Sequence, residues 1–415
     1  MPLAMPLEWR LAWRNVWRNP RRTALTVAAT VFAVALVVFS TALSEGMWAK
    51  IIDDSVGMAS GHVTLTGPGY LEERTLEQFT TLDPALEQLL VSEPEVIAFA
   101  PRVNAFGLLS MAEATRGVMV LGLDPGSEDA VSSLPRRVTS GRFLSGEQPR
   151  EIVVGRRLAE ILGAKIGSEL LLYSVAYSLE SAYDLFRVVG IMDLPNPGLD
   201  RGLALISLAD AQEFFVYGDR LSEIAIRGAP GVDAEELAAE LAAKIDPNRA
   251  EAHPWQAVMP ELAQSVVLDK AGMYLMLIIL VIVVAFGIFN TILMAVLERK
   301  KEFGVVLALG LRPRAIFRTV YLESILLAGV GLVIGLAIAI PGVLYLHANP
   351  IPLGDSEEMT AAFEMIGAEP VITALLQVQN PLYSALAILA VALIAAFYPA
   401  LRASRGRPVD VLRSL

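Results

Sequence analysis

The stretch that decides the fold runs from Ala271 to Arg318 and reads AGMYLMLIILVIVVAFGIFNTILMAVLERKKEFGVVLALGLRPRAIFR. From Met273 to Leu297 it carries no charged side chain, and ~20 apolar residues in a helix suffice to cross the hydrocarbon core of a bilayer. The run stops at Glu298, Arg299, Lys300, Lys301 and Glu302. Next comes Phe303 to Leu309, apolar but rich in small residues such as Gly304, and Gly310-Leu311-Arg312-Pro313-Arg314 breaks it. A second apolar run begins near Ile316. The pattern predicts a helix that leaves the membrane, turns through a short charged elbow (298–315) and goes back in. Alternating charge closed by a Gly-Pro stop suits a handle gripped by something soluble.

Composition agrees with a membrane chain. Of 415 residues 54% are hydrophobic, and the mean hydropathy is +0.54. There are no cysteines, which excludes disulfides and thiolate metal sites. The net charge of −11 is unevenly distributed. Segments 1–22, 298–318 and 402–415 hold 15 Lys/Arg against 4 Asp/Glu, whereas 45–270 holds 18 against 34. Short basic segments beside spans stay cytoplasmic. Both termini are therefore expected inside, and the long acidic segment outside.

Working outward, Leu7 to Asn19 reads LEWRLAWRNVWRN. Trp9, Trp13 and Trp17 recur every four residues beside a row of Arg10, Arg14 and Arg18. On a helix this is an aromatic stripe next to a basic one, the signature of an anchor lying in the headgroup layer in contact with membrane lipid. Residues 1–22 are thus read as a cytoplasmic interfacial helix, closed by Pro20. The first span is assigned to 23–44. A cleaved signal peptide is the alternative, because Ala42-Leu43-Ser44 resembles a cleavage site, but an h-region of ~7–15 residues is shorter than this run. Residues 45–270 form the outer domain, opening with a helical continuation over Gly46–Val56. Strand-like runs outnumber helical ones there, with the middle, roughly Phe106 to Met192, mostly strand between Gly and Pro turns.

The remaining assignments are a second span at 271–297, a third at 316–346, a short acidic outer loop at 347–380, a fourth span at 381–401 and a basic tail at 402–415. Gly331 and Gly335, four apart in the third span, let another helix approach closely. Glu323 lies about one turn inside that span. It is expected near the inner interface, paired with Arg318 or a backbone donor. Asn290 and Thr291 are expected to stitch helices together rather than touch a substrate. The fold class is an α-helical membrane protein with four transmembrane helices plus an α+β extracytoplasmic domain containing an inserted β-rich subdomain.

Several segments carry a family likeness: Asn290-Thr-Ile-Leu-Met, Glu298-Arg-Lys-Lys-Glu-Phe-Gly-Val-Val-Leu-Ala-Leu-Gly, the Glu151–Gly167 block with EIVVG and LAEILGAKIG, and the closing Tyr398–Arg413 stretch. With the one-plus-three arrangement of spans, the chain resembles permease subunits of the MacB/FtsX/lipoprotein-releasing class of ABC transporters. Ser60-Gly-His-Val-Thr-Leu and the Trp-Arg start are closest to the lipoprotein-releasing branch. The resemblance implies a bacterial inner-membrane protein with a periplasmic outer domain. It makes Glu298 to Arg314, including Lys300, Lys301, Glu302, Phe303, Gly304, Gly310 and Arg312, the coupling helix that docks on a separate cytoplasmic ATPase dimer. It also implies a second permease subunit, identical or homologous, and a periplasmic carrier or adaptor. Phe303 stands where the family normally has Ile.

No G-x-x-x-x-G-K-[ST] occurs, so ATP and Mg are expected to bind a partner polypeptide and not this chain. His62, His253 and His347 lack ligand spacing, no nucleophile elbow is present, and the acidic outer domain argues against nucleic acid. The expected function is a non-enzymatic permease that transmits mechanical work. Its expected cargo is a lipoprotein or other amphipathic molecule drawn from the inner membrane. The alternatives are drug or peptide efflux with an outer-membrane channel, a non-transporting regulator of a wall hydrolase, and a sensor without an ATPase.

Overall fold

The computed structural model describes residues 14, 16–18, 20–58, 60–194, 196–352, 371–377 and 379–405. Trp9, Arg10, Trp13, residues 353–370 of the acidic outer loop and most of the basic tail lie outside these residues. The chain forms two compact units, one of 1–49, 267–352 and 371–415, the other of 50–266 and 353–370.

Among the described residues four helices are long and apolar enough to cross a membrane. They are α1 (Pro20–Met58), α2 (Pro260–Glu298), α4 (Pro313–Ala348) and α5 (Gln379–Ser404), with the short α3 (Lys300–Ala308) between α2 and α4. At 1.5 Å per residue, the 39 residues of α1 and of α2 each extend about 58 Å, beyond the ~30 Å of a bilayer core.

Small residues set the packing of α4 on α1. A Cβ added at Gly331 would lie 2.6 Å from Thr30 Cβ, and one at Gly335 would lie 2.6 Å from Val34 Cβ. Only glycine permits that approach, which buries Val34, Val37 and Val38. A strap from the outer loop completes the unit. Leu375 N–H donates to Ala42 O at 2.8 Å, and the Ala374 backbone lies where a Gly46 Cβ would be. Asn290 behaves differently from the two glycines. It is exposed, and among the described residues it makes no hydrogen bond to another helix.

The outer unit is α+β. Its ten strands are β1 (Val63–Thr66), β2 (Val96–Met111), β3 (Ala114–Leu123), β4 (Val138–Gly141), β5 (Glu151–Gly155), β6 (Glu169–Val175), β7 (Ser181–Met192), β8 (Leu203–Ser207), β9 (Glu223–Gly228) and β10 (Glu251–Pro254). The sixteen-residue β2 organises them. Along one edge it pairs first with β9, through Val96–Arg102, and then with β6, through Leu108–Ser110. Its other edge pairs with β3. The ring β2-β3-β8-β5-β7-β6 closes back on β2, making a six-stranded barrel, while β9, β1 and β10 continue as an open sheet.

The barrel is filled. Exposed and buried positions alternate strictly along β6, as expected of a strand with one face inward. Leu170, Leu172, Phe186, Val188, Ile152 and Val154 belong to the central core. The expected β-rich subdomain is this barrel, and it also recruits β8, which lies beyond Met192. At the root of the open sheet Arg102 is fully buried, with Nη2 2.5 Å from Glu128 Oε1 and Nη1 3.4 Å from Glu223 Oε1.

Candidate functional site: the charged elbow

The elbow begins where α2 stops. Arg299, with φ −94° and ψ 8°, stands between α2 and α3, and its carbonyl accepts from Phe303 N–H at 3.0 Å. At the other end Leu311 N–H reaches Val306 O at 3.2 Å and Gly310 N–H reaches Leu307 O at 3.0 Å. This pair of bonds is a Schellman motif, which places the residue after the cap in the left-handed region. Gly310, at φ +93°, fills that position. Arg312 then caps α4 with extended backbone, and Pro313 occupies its first turn, where no N–H is needed.

One face of α3 is inward. Gly304 is buried, and Phe303 and Leu307 pack against Val296, Ile316, Val320, Ala400 and Ala403 from α2, α4 and α5. The guanidinium of Arg299 also lies 5.2 Å from the centre of the Phe303 ring. Phe303, in the place of the family's Ile, thus supplies a flat surface for a cation.

The other face is open. Lys300, Lys301, Arg312 and Arg314 are exposed and form no ion pair among the described residues. Val305, Leu309 and Leu311 are exposed beside them, Leu309 at 83%. Free cations interleaved with bare aliphatic side chains make a surface suited to a protein partner, with an apolar centre and a charged rim.

The carboxylates of Glu302, on the elbow, and Glu323, on α4, are held in place. Glu302 receives both outer nitrogens of Arg18, at 2.7 Å and 3.1 Å, and Arg299 Nε at 3.3 Å. These bonds, first that from Arg18, hold the Glu302 carboxyl below its ordinary pKa. Arg299 Nη1 donates to Glu323 Oε2 at 3.0 Å, inside α4. The partners expected of Glu323 do not include Arg299, and the basic row suggests for Arg18 only a membrane anchor. Arg14 and Trp17 are exposed, as Arg18 is. A buried carboxylate in a span demands a cation, and Arg299, closing the preceding span, is one that the sequence offers. The contact from Arg18 has no such local signal.

In the outer unit a cleft of about 910 Å³ lies beside the barrel, lined by Arg74, Phe106, Met119, Tyr173, Val175 and Leu199 among others. Among the described residues no group of three His, Asp or Glu side chains could hold a metal ion.

Residues 23–244 match the family model of the MacB-like periplasmic core domain, and 274–408 that of the FtsX-like permease C-terminal region. Together with the four membrane-length helices, these matches define the permease component of an ABC transporter. The chain belongs to the MacB/FtsX-like permease family, an inner-membrane, multi-pass group with a large periplasmic domain.

The lipoprotein-releasing system transmembrane protein LolC of Neisseria meningitidis is 24% identical over 334 residues, 77% of this chain and 78% of the relative. LolE of Haemophilus influenzae, of the same system, is 23% identical over 393 residues, 92% of this chain and 91% of the relative. The macrolide export ATP-binding/permease protein MacB 2 of Aeromonas hydrophila is 22% identical over 326 residues, 74% of this chain but 48% of that protein.

Proposed function

We propose that this chain works by mechanotransmission, with a separate dimeric ATPase docked on Glu298 to Arg314. ATP-driven closure of the ATPase displaces α3, and α1 and α2, through which the chain passes from one unit to the other, deliver the motion to the periplasmic domain. The observation that carries this reading is the outward face of the elbow, with its unpaired cations and exposed Leu309. A second permease, identical or homologous, completes the pore-forming pair. The outward-facing Asn290 supports a neighbour against α2, because a polar side chain is poorly placed against lipid tails.

The cargo is a lipoprotein or another amphipathic molecule extracted from the inner membrane and passed to a periplasmic carrier. Its support is the likeness to LolC and LolE over most of the chain and the apolar walls of the periplasmic cleft. The relation to macrolide export proteins favours a second reading, efflux through an adaptor and an outer-membrane channel.

The test is release of a fluorescently labelled lipoprotein from proteoliposomes holding the chain, its partner permease and the ATPase. Replacing Arg299 and Glu302 together should abolish release while ATP is still hydrolysed. Normal release by that double variant would remove the elbow from the mechanism, and drug transport without lipoprotein release would favour efflux.

A further inference from the structure

An arginine standing between two helices, with a carboxylate on either side, must follow both or let one go. Arg299 is such a residue. It joins α2 to α3, donates to Glu302 on α3 at 3.3 Å and to Glu323 on α4 at 3.0 Å. Glu302 in turn takes both outer nitrogens of Arg18, which precedes it by 284 positions. The four side chains form one line of alternating sign, Arg18–Glu302–Arg299–Glu323. Exposure falls along it from 63% at Arg18, through 44% at Glu302 and 17% at Arg299, to 8% at Glu323.

We infer that this line is the linkage through which displacement of the elbow reaches the α4 span and the N-terminal segment, with Glu323 as its fixed end and Arg18 as its releasable one. Both are positioning residues for coupling. The inference rests on the reading of the elbow as the ATPase-docking helix.

The gradient of exposure gives the two ends different tasks. The apolar contacts of Phe303 and Leu307 are non-directional, so they do not by themselves fix where α3 sits along α4 and α5. An Arg–carboxylate bond is directional and charge-assisted, and does not slide. The space beside Glu323 is small and lined largely by apolar side chains, Ile292, Val296, Val320 and Leu327 among them, with Thr26 and Ser324 as its polar members beside Arg299. Separating charges there is far costlier than in water. The inner bond therefore stays made, and α4 moves with the elbow. At Arg18 water can replace either partner, so the outer bond opens and re-forms at small cost. One end transmits and the other resets.

The natural chain contains no cysteine, which makes site-specific labelling direct. Leu297, immediately before the elbow and outside the docking segment, and Ile338, on α4, are both exposed and can be replaced by cysteine and spin-labelled in the full complex with its ATPase. The distance between them is then compared in the nucleotide-free and vanadate-trapped states. The wild-type background should keep one distance in both states. Glu323→Gln should make the distance shift or broaden on trapping, and the exchange R299E/E323R should restore the single value. A wild-type distance that itself changes on trapping overturns the inference, as does an E323Q complex that behaves like the wild type, or a failure of the exchange to restore. Should E323Q not assemble, R299K, which keeps the charge but loses the planar fork that reaches both carboxylates, tests the inner bond from its other end, and the distance should again shift or broaden on trapping.

A bismaleimide cross-link to the ATPase from a cysteine placed at Leu309 in a separate variant separates the two ideas. A cross-link with an unaltered E323Q distance removes only the charge line, whereas no cross-link in any state removes the docking assignment and the inference with it.

Discussion

Two arginines in this protein do nearly the same chemistry in different surroundings. Arg102, in the periplasmic unit, sits between Glu128 and Glu223; Arg299, at the elbow of the helical unit, sits between Glu302 and Glu323. The first is wholly sealed, with Arg102 and Glu128 fully buried and Glu223 nearly so. The second is sealed on one side only, since Glu302 is open to water and to Arg18. A buried triad is held because releasing any member leaves a charge without solvent. A triad with one wet end can be broken there and remade. The periplasmic cluster is thus a rivet, and the one at the elbow a joint.

The largest expected effect is at the rivet. Arg102→Ala leaves two carboxylates facing each other in the core and should destabilise the periplasmic unit by about 3–5 kcal/mol. Hydrogen exchange of β2 and β9 in the full chain reads this loss. Protection equal to that of the wild type would mean that the cluster is not structural.

A smaller effect belongs to the turn that ends the joint. Gly310→Ala meets no neighbour, but it places a Cβ in the left-handed region at about 1–2 kcal/mol. Fraying should be confined to the last turn of α3, and should be seen as faster amide exchange at 309–311.

Smaller again is Glu302→Gln. Exposed ion pairs contribute about 0–1 kcal/mol, so thermal stability should barely move. Added salt should reduce even that difference, because screening weakens the wild-type pair. A large loss of stability would contradict the description of a wet, releasable end.

The two clusters should also answer acid and base in opposite directions. Burial raises the Glu223 pKa above its ordinary value, more than Arg102 lowers it. Its contribution is therefore full below the ordinary glutamate range and is lost as pH rises through the folded value. Glu302 is lowered, chiefly by Arg18, so its contribution is present above the ordinary range and lost as pH falls through the folded value. Wild type should lose ground to Glu223→Gln as pH rises, and to Glu302→Gln as pH falls. The same sign for both would dissolve the contrast.

Much of this architecture is legible in the residues. The spans announce themselves as long uncharged runs, and most strands as short apolar ones bounded by turns. Val96–Pro101 and Phe106–Met111 read as two strands because Pro101 and Asn104 interrupt them, yet they are one, β2, supported by different partners along one edge. Closure of the barrel is not legible. It depends on β3 finding β8 and β6 finding β2, and strand propensity carries no information about partners. Short β4 and β10 give no periodic signal, and they exist because a neighbour's edge is available.

At the elbow the composition of the site is visible in the sequence, and its wiring is not. The charges at 298–302 stand out from any apolar background. That Glu302 meets Arg18 across most of the chain cannot be read, because the basic row on the N-terminal segment is equally suited to lipid headgroups.

The central claim is that Lys300 to Arg314 is the surface on which the ATPase sits and through which it acts. Amide exchange across that segment, followed in the purified permease before and after its ATPase is added, tests this most directly. Binding should slow exchange over Lys300–Arg314 and ATP should change it again. An elbow that exchanges at the same rate with and without the ATPase would contradict the account.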